Sequence, residues 1–231
     1  MKITIITSNK SRHNFLINEL SKISNEIFII QECETIFPGK LKGHYSTSKV
    51  MEKYFKKVNK SQKKIFGNQV IKIKNNGTLL TLKKGDLNKC KISILKEFLK
   101  SDIYVIFGAS YIKDDLADFL VEKKAINIHM GISPYYRGSD CNFWALYDNK
   151  YDLVGSTIHL LSKGLDNGPI LYHAISEKNN DIFDYSMLSV KSAILSIKEY
   201  ISSKKIFNIK PVEVNKKKLI RYTRVEHFND S

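Results

Sequence analysis

The stretch AINIHMGISPYYRG occupies residues 125–138. Ala125–His129 reads as a buried strand. Asn127 and His129 are separated by one residue, so the period-two alternation of a strand puts both side chains on one side, at its C-terminal end. The tips of parallel strands are where open α/β sheets build their sites. Downstream lie Trp144-Ala145-Leu146-Tyr147 and then GSTIHLLSKGLDNGPIL at residues 155–171, which holds Asp166 and His159.

Upstream of this stretch, Ile3–Thr7 reads as a first buried strand and Ser8–Ser11 as a short polar loop. Arg12–Ile23 has Phe15, Leu16, Leu20 and Ile23 at helical spacing, and Glu26–Ile30 reads as a second strand. This β-α-β opening predicts an α/β fold with a doubly wound, mostly parallel sheet. No glycine precedes Gly39, so the glycine-rich dinucleotide turn is missing after strand one. Gln31–Ser46 reads as a loop. Ser48–Phe66 predicts an amphipathic helix, with Met51, Tyr54, Phe55 and Val58 on one face and Lys49, Lys53, Lys56, Lys60 and Lys63 on another. Asn75-Asn76-Gly77 between Val70–Lys74 and Thr78–Leu82 predicts a hairpin. Asn88 is expected to cap a helix running to Leu99. Further expectations are a strand at Asp102–Phe107, a helix at Asp114–Glu122 and a helix at Asn142–Tyr147. Strands at Val154–Leu161 and Pro169–Ile175, a helix at Asp184–Ser202 and a strand near Val212–Leu219 complete the reading. The expected organisation is one α/β domain over 1–185, including the basic helix and hairpin at 48–82. A helix-and-strand extension covers 186–231.

The formal charge of +15 suggests a polyanion partner. However, only four of the 38 basic residues are arginines, namely Arg12, Arg137, Arg221 and Arg224. Specific phosphate recognition favours the planar arginine fork, so nucleic acid is not the expected partner. Arg137 gains weight from its rarity. Cys33, Cys90 and Cys141 lack metal-ligand spacing and read as free thiols of a cytoplasmic protein. No apolar run approaches the roughly 18 residues of a membrane span, so no membrane partner is expected.

Taken in order, N-x-H at 127–129, P-x-Y-R-G at 134–138, the Trp144-Ala145 pair, G-x-T-I-H at 155–159 and G-L-D-x-G-P-I-L at 164–171 resemble the folate-dependent formyltransferase family. That family includes glycinamide ribonucleotide formyltransferases, the catalytic domain of methionyl-tRNA formyltransferases, and N-formyltransferases of nucleotide-linked amino sugars. The resemblance implies a Rossmann-like formyltransferase fold and N10-formyltetrahydrofolate as co-substrate, with no metal. It places the catalytic residues at Asn127, His129 and Asp166. Asn127 would donate to the formyl oxygen. His129 would either donate there when protonated or take the amine's proton when neutral, and Asp166 would raise the His129 pKa. His159 would stand behind them, and Trp144 would pack under the site.

The same resemblance assigns the pterin pocket to Phe107, Gly108, Ala109, Ser110, Tyr111, Ile112, Leu161, Ser162, Lys163 and Gly164. It assigns substrate contacts to Met130, Gly131, Ser133 and Arg137, the last also serving as a loop anchor. A cis Ser133–Pro134 bond is expected. Met130-Gly131 departs from the Pro-Ser that many members carry after the histidine. Too few residues follow Tyr185 for the tRNA-holding domain, and the phosphate loop of the purine enzyme is missing. These absences point to a nucleotide-linked amino sugar as acceptor, such as a dTDP-4-amino-4,6-dideoxyhexose, and to a homodimer. Phosphoribosylglycinamide or another small amine is the alternative. A non-catalytic folate, sugar-nucleotide or polyanion-binding protein is the reading of another class. His13, His44, His173 and His227 have no supporting neighbours in the sequence.

Overall fold

The computed structural model describes residues 1–35, 37, 40, 48–73 and 76–229. Seven strands form one sheet: β1 (Lys2–Ser8), β2 (Glu26–Cys33), β3 (Gly77–Lys83), β4 (Ile103–Phe107), β5 (Ile126–His129), β7 (Ser156–Leu160) and β8 (Ile170–Ala174). Their order is β3-β2-β1-β4-β5-β7-β8. The first five are mutually parallel, and β7 pairs antiparallel with both β5 and β8. This is the doubly wound, mostly parallel α/β architecture that the sequence predicts.

The central strands are apolar because both faces are covered. Ile3, Ile5, Ile27, Ile29 and Val105 pack on one side, with α1 (Ser11–Ser21) and α5 (Ile182–Ser202). Ile6, Ile30, Tyr104 and Ile106 face the other side, with α3 (Asp114–Glu122). Asp181 caps α5, its carboxylate accepting from the amides of Phe183 and Asp184. No described helix is long and apolar enough to cross a membrane.

α2 (Lys49–Phe66) forms as expected, with the Ser48 hydroxyl accepting from Met51 N at 3.0 Å. Met51 and Phe55 are buried, whereas Lys53, Lys56, Lys60 and Lys63 are exposed. The expected loop at 31–46 begins later, since Gln31–Cys33 belong to β2. Its Pro38, Gly39 and Gly43 lie outside the described residues.

Three expectations fail. Gly77–Lys83 is a strand, but it pairs parallel with β2, so no hairpin forms. Segment 69–72 is taken by α1 instead. Asn14 Nδ2 and Asn18 Nδ2 donate to the carbonyls of Gln69 and Val70, each at 2.9 Å, and Lys72 N donates to Asn18 Oδ1 at 2.8 Å. Lys74 and Asn75 lie outside the described residues. The expected helix at 88–99 is two 3₁₀ turns, Leu87–Lys89 and Lys96–Leu99. Asn88 caps neither of them. Its side chain donates to Tyr111 O and accepts from Lys113 N. The C-terminal strand is displaced: Val212 makes an isolated bridge to Ile170, and β9 (Arg221–Thr223) pairs parallel with β6 (Tyr136–Gly138) as a separate two-stranded sheet.

Candidate active site

The strand order reverses between β1 and β4, the position where doubly wound sheets open a crevice at their C-terminal ends. A cavity of about 640 Å³ lies there. Asn127 and His129 reach it from β5, Asp166 from the loop between β7 and β8, and His159 from β7.

The four side chains form one network. His159 Nδ1 lies 2.8 Å from the Leu160 carbonyl and therefore carries the proton, which leaves Nε2 as an acceptor. Asn127 Nδ2 donates to that Nε2 at 2.9 Å and to Asp166 Oδ1 at 3.3 Å. Both amide hydrogens are thereby directed, and the longer bond is the one that an incoming oxygen could share. His129 Nδ1 lies 3.3 Å from Asp166 Oδ2, and its Nε2 lies 3.3 Å from the Tyr136 carbonyl.

Burial lowers the His129 pKa, and this outweighs the opposing pull of Asp166. The expectation that Asp166 raises it holds for that one interaction and not for the net result. Burial pushes the Asp166 carboxyl up, but His129, His159 and the Gly138 backbone amide overcome this and hold it below the usual range. The resting pair is neutral imidazole beside carboxylate. Asp166 itself has φ 46° and Gly138 φ 93°, so both chain segments adopt left-handed backbone at the site.

Of the expected pterin-pocket residues, Phe107, Gly108, Ala109, Ser110, Tyr111, Ile112, Leu161, Ser162 and Gly164 line the cavity. Glu32 ties this loop to the sheet by accepting from Ser110 N at 2.6 Å and Gly85 N at 2.8 Å. Lys163 points away and pairs with Asp118.

Of the expected substrate contacts, Met130 alone lines the cavity. Gly131 packs against Cys141 and His129. Ser133 is buried, with its amide on Thr157 Oγ1 and its carbonyl on His173. Arg137 donates to the Leu165 carbonyl at 2.7 Å and so acts as an anchor for the loop that carries Asp166. The Ser133–Pro134 bond is cis, as expected. Trp144 does not line the cavity; it packs with Phe143 and Phe228 beneath the Arg221 guanidinium.

Sequence reasoning missed a second part of the lining: Lys10, Arg12, His13, Tyr54, Phe55 and Asp140. His13 is buried edge-on against Phe107, at 4.8 Å between ring centroids. Burial raises the Asp140 carboxyl to about 6, against the pull of Lys10 and Arg12. Arg12 follows the polar loop after β1 and was legible as one of four arginines. His13 comes from α1 and Tyr54 and Phe55 from α2, on faces that read as ordinary core packing, while Lys10 and Asp140 come from the loops before α1 and after β6.

The fold and this polar network define a group-transfer enzyme built at the switch point of a doubly wound sheet. Residues 53–181 match the formyl transferase family model, and the chain belongs to that family. Its enzyme class is therefore that of a transferase using a formyl donor. No curated protein matches the chain.

Solved structures of similar fold include a sugar N-formyltransferase from a Shewanella species. It is 16% identical, with 99% of this chain and 78% of that chain covered and a TM-score of 0.61. A phosphoribosylglycinamide formyltransferase from Anaplasma phagocytophilum is 16% identical, covering 89% and 88%, with a TM-score of 0.56. The formyltransferase PseJ from Anoxybacillus kamchatkensis, in complex with UDP-4,6-dideoxy-4-formamido-L-AltNAc and tetrahydrofolate, is 17% identical, covering 98% and 87%, with a TM-score of 0.53. At these identities the likeness is one of fold.

Proposed function

We propose that the protein transfers a formyl group from N10-formyltetrahydrofolate to the primary amine of a nucleotide-linked amino sugar. The observation that carries this reading is the His129–Asp166 pair, joined by Asn127, in a cavity whose lining has two chemical characters. The backbone-rich segments 107–112 and 161–164 suit a flat heterocycle with many edge donors and acceptors, as the pterin of the donor is. The other part supplies Tyr54, Phe55 and Phe143 for a nucleobase, and Lys10, Lys84 and Arg12 for phosphate. Lys10 and Lys84 share one carboxylate, Glu34, so this part keeps excess positive charge. PseJ, a protein of similar fold, is solved with a UDP-linked sugar and tetrahydrofolate.

In this mechanism neutral His129 takes the proton that the amine loses as it attacks the formyl carbon. The imidazolium then has an acceptor at each nitrogen, Asp166 Oδ2 and the Tyr136 carbonyl. Asn127 donates to the formyl oxygen as charge gathers there. The bond from the formyl carbon to N10 breaks with its electron pair going to N10, and His129 returns the proton to that nitrogen.

The test is a panel of dTDP- and UDP-linked amino sugars together with phosphoribosylglycinamide, with tetrahydrofolate release as the readout. Turnover with a nucleotide-linked amino sugar is expected. Turnover with phosphoribosylglycinamide alone reassigns the acceptor, and no turnover with any amine overturns the enzyme reading. In the active pairing, Asn127→Ala, His129→Ala and Asp166→Ala should each cut kcat by about 10²–10⁴.

A further inference from the structure

Strand β6 is three residues long, yet each of its residues touches the His129–Asp166 pair or the loop that holds it. The Tyr136 carbonyl faces His129 Nε2 at 3.3 Å, Arg137 Nη2 donates to Leu165 O at 2.7 Å, and the Gly138 amide faces the Asp166 carboxylate. The sheet partner of β6 is β9, from the far end of the chain. The geometry points to β9 as a positioning element for the reaction, with Arg221 and Thr223 as its positioning residues: they set the distances of Tyr136 O and Asp166 from His129. This inference rests on the proposed role of His129 and Asp166.

The attachment of β9 is specific. The amides of Ile220 and Arg221 donate to the Tyr135 carbonyl at 2.9 and 3.1 Å, and Ser139 N donates to Thr223 O at 3.0 Å. The Thr223 hydroxyl donates to Ser139 O at 2.5 Å. A Cβ on Gly138 would lie 1.9 Å from Thr223 O, so the glycine is what lets β9 lie this close. Arg221 clasps Asp148 with two hydrogen bonds, at 2.6 and 3.1 Å, and its guanidinium lies 4.7 Å from the Trp144 ring. Asp148 also accepts from the Tyr136 hydroxyl at 3.0 Å, so the ion pair grips β6 from its own side chain. A bidentate pair of this kind fixes direction as well as distance.

The groups around His129 make the prediction signed. Asp166 and the Tyr136 carbonyl favour its protonated form, whereas burial, His159 and Arg137 oppose it. Cys141 packs beside Gly131 and His129, and its thiol is held neutral by burial. Releasing β6 loosens both favourable partners and leaves the burial of β5 in place. Arg137, which opposes protonation, moves with β6 as well, but its influence is weaker than that of Asp166 or the Tyr136 carbonyl, so the His129 midpoint is expected to fall.

The experiment follows the histidine ring signals of the full-length protein by NMR against pH, with His129 assigned by its loss in His129→Gln. The wild type is compared with Arg221→Gln, Asp148→Asn and Thr223→Val. Emission from Trp144, the single tryptophan, reports departure of the guanidinium in Arg221→Gln. The expected result is a lower His129 midpoint in Arg221→Gln and Asp148→Asn alike, and a smaller shift in Thr223→Val. In an active acceptor pairing, kcat should drop about tenfold or more, well within the roughly hundredfold loss that a misplacement of about 1 Å can cause, with the donor KM nearly unchanged. A lowered melting temperature with the His129 midpoint unmoved overturns the proposal, since mere support of the fold would give that result. The NMR readout needs no turnover, so failure of the acceptor panel and failure of this inference are separate outcomes.

Discussion

Asn127 and His159 face each other directly across the antiparallel pairing of β5 and β7, and the Asn127 amide donates to His159 Nε2 at 2.9 Å. The histidine sets which way the amide points, because its own proton is held by the Leu160 carbonyl. His159→Leu removes both hydrogen bonds of this ring, to the Asn127 amide and to the Leu160 carbonyl. That should cost about 1–3 kcal/mol of stability. It also frees the Asn127 amide to turn, so kcat should fall while the KM for the formyl donor changes little. Thermal melts and steady-state rates check both effects, and a variant with normal kcat would remove His159 from the orienting role.

Acid should weaken the fold through two buried imidazoles. Burial depresses both His13 and His129 below the usual value, and Arg12, Lys10 and Lys84 depress His13 further. A depressed histidine binds its proton in the unfolded chain first. Stability is therefore fully present above the ordinary pKa of about 6.5 and is lost as pH falls from there toward the folded-state values. His13→Leu keeps an apolar body against Phe107 and removes one of the two titrations. Its melting temperature should decline less steeply between about pH 7 and pH 5 than that of the wild type. Parallel slopes would show that His13 does not titrate in this way.

Gly108 sits at φ 70° with His13 Nε2 only 2.5 Å from where a Cβ would stand. Gly108→Ala strains the backbone and collides with a ring that is locked against Phe107. The cost should exceed about 1 kcal/mol. Because residues 107–112 line the cavity, the donor KM should rise more than kcat falls. Adding His13→Ala should return part of the lost stability, because the two residues are in contact. Chemical denaturation of the two single variants and the double variant measures this coupling, and strict additivity would exclude the collision.

What was readable in the chain follows from how local the physics is. The Asn127–His129 spacing needed only strand periodicity, and Asp166 needed only its place in a dense family motif. The link through His159 needed the β5–β7 register, which no local pattern encodes. Asn75-Asn76-Gly77 carries a real turn signal, yet two asparagines of α1 capture the segment before it, and a side-chain contact across some fifty residues leaves no trace in a window. Asn88 has the composition of a cap but spends its amide on Tyr111 O and Lys113 N. His13 looked isolated in sequence because its neighbours, Phe107 and Gly108, arrive from another strand. Ser133 stands among the expected substrate contacts, but its backbone groups are spent on Thr157 and His173, whereas Arg137 takes the loop-anchoring role that the sequence also offers for it.

The pairing of β6 with β9 also sets an order of events during synthesis. All seven strands of the main sheet have been made by Ala174, and α5 by Ser202. The strand that pairs with β6 comes after both. A growing chain can therefore close its core while the residues that steady Tyr136 and Gly138 are still unmade, so the sheet can be complete before its chemistry is.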